Sequence, residues 1–189
     1  EESFQILLNQ IGNEFDPNVV DKHRNTVLYY CARYGLRESF NLIIERCNSL
    51  DIKFDISKAN NIIPTMVAKQ WELEYFDKLL SITDNSDFME ALNEPGKRGM
   101  KPIHIAAATQ NLNFLKKYSS FNENECDNDG NTIAHYASYF DALESLKLIK
   151  TISKDCFKWK NNKKQTPPQL AFANNSTDIL FAYQDEFSS

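Results

Sequence analysis

The stretch Lys101-Pro102-Ile103-His104-Ile105-Ala106-Ala107 has relatives elsewhere in the same chain. Thr26-Val27-Leu28-Tyr29-Tyr30-Cys31-Ala32 echoes it upstream. Thr132-Ile133-Ala134-His135-Tyr136-Ala137-Ser138 and Thr166-Pro167-Pro168-Gln169-Leu170-Ala171-Phe172 echo it downstream. A weaker copy, Ile62-Ile63-Pro64-Thr65-Met66-Val67-Ala68, fits between Thr26 and Lys101. The steps from Thr26 to Ile62, Lys101, Thr132 and Thr166 are 36, 39, 31 and 34 residues. Self-similarity at such a spacing marks a repeat architecture. Each unit of such an array buries its apolar face on its neighbours, so function belongs to an extended surface rather than to a catalytic pocket.

Apolar residues at i, i+3 and i+4 within the copies predict amphipathic helices. The motif and its spacing resemble the ankyrin repeat, in which a Thr-Pro-Leu-His-x-Ala-Ala core opens the first of two antiparallel helices and the period is about 33 residues. The resemblance covers nearly the whole chain. It implies apolar residues 13, 14 and 17 places further on, in a second helix. Phe40 and Ile43, Phe76 and Leu79, Phe114, Leu115 and Tyr118, Leu146 and Ile149, and Leu180 and Tyr183 stand there. Ala32, Ala68, Ala106, Ala107, Ala137 and Ala171 fall on the first helices, where neighbours must approach closely.

The fold class implied is all-α, an ankyrin-repeat solenoid of stacked antiparallel helix pairs with β-turn fingers. Its parts are a partial leading repeat (outer helix and turn) over 1–20, a repeat over 21–56, and a divergent repeat with a long exit loop over 57–95. Repeats over 96–126, 127–160 and 161–189 follow, together forming one domain. Phe4, Ile6, Leu7, Leu8 and Ile11 read as the outer helix of the leading part. In the second repeat Pro64 comes one place late, Thr65 stands where His is expected, and Trp71 takes the Gly position. The fifth has Gln169 for His. A short extra helix is expected around Asp87–Leu92, before the turn at Pro95-Gly96.

Composition sets further bounds. The 189 residues suffice for one large domain or one array. Five Gly and six Pro leave no long flexible linker, and no run of about 18 apolar residues predicts a membrane span. No signal-peptide pattern opens the sequence. Cys31, Cys47, Cys126 and Cys156 show no CxxC or zinc-finger spacing. They read as reduced thiols of an intracellular, cytoplasmic protein, or one in the host cytoplasm if the parent is a secreted bacterial effector.

His104 and His135 hold the fourth place of the motif, where the ankyrin resemblance implies a hydrogen-bonded brace between neighbouring turns. They lack the HExxH spacing of a metal site. His23 falls on a finger tip, open either to a partner or simply to solvent. Asp127-Asn128-Asp129-Gly130 begins like a calcium loop, but Ser138 stands where the twelfth-place Glu belongs. The resemblance instead makes Asp127 and Gly130 the ends of a finger turn. With no P-loop, GxGxxG or GxSxG, no catalytic residue, metal site or cofactor is expected.

What remains is the face that ankyrin arrays present to partners, built of finger tips and the exposed side of each first helix. The resemblance places there Lys22, His23, Arg33, Tyr34, Lys58, Lys69, Lys97, Arg98, Met100, Asn128, Asp129, Tyr139, Phe140 and Lys163. The chain is net −5, yet its fingers are mostly basic. That asymmetry would steer an acidic protein partner, although exposed turns also collect Lys for solubility. Tyr139 and Phe140 stand where polar residues would be free to sit, as hot-spot aromatics do. The alternative for Phe140 is burial between repeats. The expectation is a monomeric, non-catalytic protein–protein interaction module with no nucleic acid or membrane partner. The alternative is a regulatory or targeting ankyrin domain of a larger enzyme, channel or effector.

Overall fold

The structure, a computed structural model, describes residue 6, residues 10–59 and residues 61–187. Much of the expected leading helix, including Phe4, Leu7 and Leu8, lies outside the described residues. The described chain is all-helical; the only extended pairing among these residues is an isolated antiparallel bridge between Cys126 and Thr132. It divides into two compact units, Glu1–Asn93 and Glu94–Ser189.

The first unit holds α1 (Val27–Tyr34), α2 (Arg37–Ser49), α3 (Ile62–Ala68), α4 (Leu73–Ser81) and α5 (Asn85–Asn93). Thr26 caps α1 by accepting the Tyr29 amide at 3.2 Å, and left-handed Gly35 ends it. That turn folds α2 back onto α1, while α1 packs on α3 and α2 on α4. Leu28, Cys31 and Ala32 are buried on α1 and Met66 and Val67 on α3, the helices of one packed pair; Phe40 and Ile43 are buried on α2 and Phe76 and Leu79 on α4, the helices of the other. Burying each such aliphatic or aromatic side chain is worth about 1.5–3 kcal/mol. Phe54 donates its amide to the Ile82 carbonyl at 2.7 Å, joining the loops behind the two hairpins. The expected extra helix is present as α5, longer by a few residues, with Phe88 and Leu92 buried.

The second hairpin corrects the sequence register by one residue. Asn61, not Ile62, is the residue that precedes the helix. The place after each first helix that needs positive φ identifies the true alignment: Gly35, Gln70, Gln110, Asp141 and Asn175 occupy it. Gln70 therefore stands at the Gly position and Trp71 one place beyond, where its ring is buried. Val67 takes the tightly packed site and Ala68 is exposed. Pro64, not Thr65, stands at the His place. A proline is tolerated there because first-turn amides have no intrahelical partner to lose.

The second unit stacks three hairpins: α6 (Pro102–Ala108) with α7 (Leu112–Tyr118), α8 (Ile133–Tyr139) with α9 (Leu143–Ile152), and α10 (Pro167–Ala173) with α11 (Thr177–Ala182). A short turn, α12 (Gln184–Phe187), follows. The first helices α6, α8 and α10 lie side by side. Ala106, Ala107, Ala134, Ala137 and Ala171 are fully buried along that line, since small side chains let helices pack at the short end of the usual 8–10 Å separation. Ser176 donates its hydroxyl to the Ser138 carbonyl at 2.6 Å. In α11 the fully buried residue is Ile179, whereas the expected Leu180 and Tyr183 are only half-buried. Leu115 and Leu146, at the Leu180 place, each have another hairpin stacked beyond them; Leu180 has none among the described residues.

Candidate protein-binding face

The fingers are one loop design written several times. The carboxylate of Asp21 accepts the amides of His23 and Asn25 at 2.8 and 2.9 Å. Asp127 does the same for Asp129 and Asn131, at 2.9 and 2.7 Å. The amide oxygen of Asn161 accepts from Lys163 and Gln165, at 3.0 and 2.9 Å. Short Asp and Asn side chains form such local turns because they reach their own backbone two residues on. Two copies carry a further bond, from the Tyr30 hydroxyl to Asp21 at 2.5 Å and from Tyr136 to Asp127 at 2.9 Å. The Tyr30 bond is the largest cause holding the exposed Asp21 carboxyl down to about 2. Burial, followed by the Asp127 bond, pushes the Tyr136 hydroxyl well above its ordinary value.

In the second unit the fingers also bind each other. Asn128 donates its amide to the Arg98 carbonyl and Asn162 donates to Asp129, both at 2.9 Å. Two histidines brace this ladder from below. His135 Nδ1 accepts the Thr132 amide at 3.1 Å, and its Nε2 faces the Gln165 carbonyl at 3.0 Å. His104 repeats the arrangement with the Lys101 amide and the Glu125 carbonyl, at 2.9 and 3.2 Å. An acceptor Nδ1 and a donor Nε2 define the neutral tautomer.

Burial is the leading cause that lowers both imidazole pKa values below 6.5. The folded state therefore binds fewer protons than the unfolded one. The stability these neutral rings contribute is complete above about pH 6.5 and is lost as pH falls from there through the lower folded value. Gln169 holds the His place in the last hairpin, where its Oε1 accepts the Thr166 amide at 2.9 Å without titrating. His135→Gln is therefore expected to flatten the decline in stability between pH 7 and pH 5, measured by urea denaturation across that range. An unchanged decline would assign it to other groups.

Two grooves lie between fingers and first helices, one within each unit. The groove of the first unit is lined by Arg33, Tyr34, Asn61, Pro64, Thr65, Ala68 and Lys69. The Tyr30 and Tyr34 rings stack beside it, 6.2 Å apart and 7° from parallel. The groove of the second unit, about 440 Å³, is lined by Arg98, Asp129 and Lys163 from three fingers and by Tyr136, Tyr139 and Phe140 from α8 and its end. Tyr136 and Phe140 repeat the parallel stack at 6.4 Å and 12°, and Tyr139 meets Phe140 edge-on at 5.0 Å. Tyr139 and Phe140 remain 47% and 56% exposed.

Of the residues nominated from sequence, Arg33, Tyr34 and Lys69 come together in the first groove. Arg98, Asp129, Tyr139, Phe140 and Lys163 do so in the second. Lys22 and His23 are exposed on the Asp21 finger, and Lys97 and Asn128 on fingers of the second unit, outside both grooves. Met100 is half-buried. Lys58 sits in a single 3-10 turn, paired with Asp55 at 3.5 Å. Asn131 and Gln165, finger places by the ankyrin resemblance, also line the second groove, whereas sequence reasoning missed Tyr136. The signal for Tyr136 was available: Asp21/Tyr30 and Asp127/Tyr136 share a spacing of nine residues.

Both ring nitrogens of each buried histidine are engaged within the fold. Burial raises the Cys31 and Cys47 thiols to about 11, which suppresses the reactive thiolate. Among the described residues no group of three or more His, Cys, Asp or Glu side chains could hold a metal ion, and no helix is long and apolar enough to cross a membrane. No family model matches this chain, and no curated protein matches it significantly.

Proposed function

We propose that this chain is a set of ankyrin-type helical hairpins and acts as a non-catalytic module that binds a partner protein. Its contact surface is the side where fingers meet first helices. The observation that carries this reading is the exposed Tyr139–Phe140 pair in the groove of the second unit, between the finger cations Arg98 and Lys163. Aromatic side chains supply large contact area at little entropic cost and dominate interface energetics. A rigid backbone holds them in place, because three hydrogen-bonded fingers and two neutral imidazoles fix the walls. The four free cysteines fit work in a reducing, intracellular compartment.

The test begins with a partner recovered from native cell extract and then purified. Its affinity is measured by calorimetry for the unaltered chain, for Tyr139→Ala and for Phe140→Ala. Each substitution is expected to weaken binding by about 2 kcal/mol, roughly 30-fold, while helicity by circular dichroism stays constant. Undiminished affinity in a folded double variant would remove this site.

A further inference from the structure

The charges facing the groove of the second unit follow an order, and that order specifies a ligand; the inference rests on the protein-binding reading above. Successive fingers contribute Arg98, Asp129 and Lys163. All three are exposed, and no ion pair among the described residues engages any of them. Asp127 also lines the groove, but its oxygens are occupied by the amides of Asp129 and Asn131, the Asn131 side chain and the Tyr136 hydroxyl. Exposed Lys97 and Lys164 adjoin the outer cations in sequence, whereas the neighbour of Asp129 on its finger is neutral Asn128. Read across the stack, the free charge runs plus, minus, plus. Tyr139 and Phe140 belong to the same hairpin as Asp129, so the aromatic surface also lies at the centre.

We propose that this groove takes an extended segment of a partner protein with an acidic side chain near each end and an uncharged apolar side chain between them. Two hairpin steps at about 8–10 Å each separate the outer cations, which an extended chain rising about 3.3 Å per residue covers in about five or six residues. The central apolar side chain rests on Tyr139 and Phe140. A carboxylate at the centre would instead meet Asp129, and like charges brought together at an interface reject a partner. Uniform polyanions, nucleic acid among them, are therefore disfavoured despite the basic fingers.

The probe is a phage-displayed library of random eight-residue peptides, selected on the immobilised full chain and on folded Arg98→Glu/Lys163→Glu, Asp129→Lys and Tyr139→Ala/Phe140→Ala variants. The unaltered chain is expected to enrich peptides with two acidic residues flanking an apolar one. The charge-reversed variant should lose at least about tenfold affinity for those peptides and enrich basic-ended ones. Asp129→Lys should gain about tenfold affinity for polyglutamate and for oligothymidylate. Enrichment of nothing, of peptides without acidic bias, or of the same peptides by the charge-reversed variant would overturn the proposal. Where the unbiased capture still depends on the aromatic pair, this proposal falls but the protein-binding reading of the face stands. Capture that survives loss of the aromatic pair sinks the groove itself.

Discussion

Phe40→Ala is expected to cost about 3–5 kcal/mol, the range for truncating a large buried aromatic. Phe40 is fully buried and its ring lies 5.0 Å from Trp71 and 5.9 Å from Tyr75, tilted and edge-on respectively. Such pairs add about 0.5–1.5 kcal/mol beyond the area they bury. The loss is large because Phe40 belongs to α2 while both partners belong to the next hairpin, so one truncation loosens two hairpins together. Total stability of a domain is only about 5–15 kcal/mol. Leu36→Ala is the control: Leu36 stands at the place equivalent to Trp71 but is 49% exposed, and its loss should be within about 0.5 kcal/mol. Equal midpoints for the two variants in chemical denaturation would contradict the packing of α2 on α4.

Gly130→Ala is expected to cost about 2–4 kcal/mol, the sum of two penalties. Its φ of +77° lies in the left-handed region, where a side chain costs about 1–2 kcal/mol. An added Cβ would stand 2.6 Å from Asn162 Oδ1 and 2.8 Å from the Asn162 backbone nitrogen. That nitrogen is the one bonded to Asp129, so relief of the clash must part the fingers. Gly35→Ala isolates the first penalty, since φ is +71° there but the nearest atom is Arg37 Nη1 at 3.8 Å. Gly35→Ala should therefore cost only about 1–2 kcal/mol. Hydrogen exchange at the Asn162 amide is expected to accelerate in Gly130→Ala alone. Similar thermal shifts for both glycine variants, with Asn162 still protected, would show that the close approach of the fingers contributes nothing.

The sequence was legible where a residue type has only one local use. Thr26 and Thr132 mark helix starts, and the ankyrin resemblance implied a turn between Asp127 and Gly130 and a brace at His104 and His135; each rests on bonds made within a few residues or to the adjacent loop. The second hairpin was misread by one residue for the converse reason. Ile62-Ile63-Pro64-Thr65 matches the motif in letters, but the place that fixes register is the positive-φ residue after the helix, and Gln70 carries no sequence mark of that conformation. The candidate site divided the same way. The ankyrin resemblance nominated Tyr139 and Phe140, which line the second groove, together with Lys22, His23, Lys58, Lys97, Met100 and Asn128, which lie outside both grooves.

By itself the sequence determined that the chain repeats, that each copy opens on an amphipathic helix, and which residues turn the chain between copies. These follow from short-range sterics and from periodicity, which any window of the chain carries. Only the tertiary structure decided which charges are left free and which are spent. Asp127 and Asp129 are two residues apart and chemically alike, yet one is saturated by a turn and a tyrosine while the other faces an open groove. The bonds that saturate Asp127 come from its own turn and from Tyr136 on the helix that follows; what the adjoining fingers add is the groove that Asp129 faces, lined by Arg98 and Lys163, and no reading of one finger alone contains it.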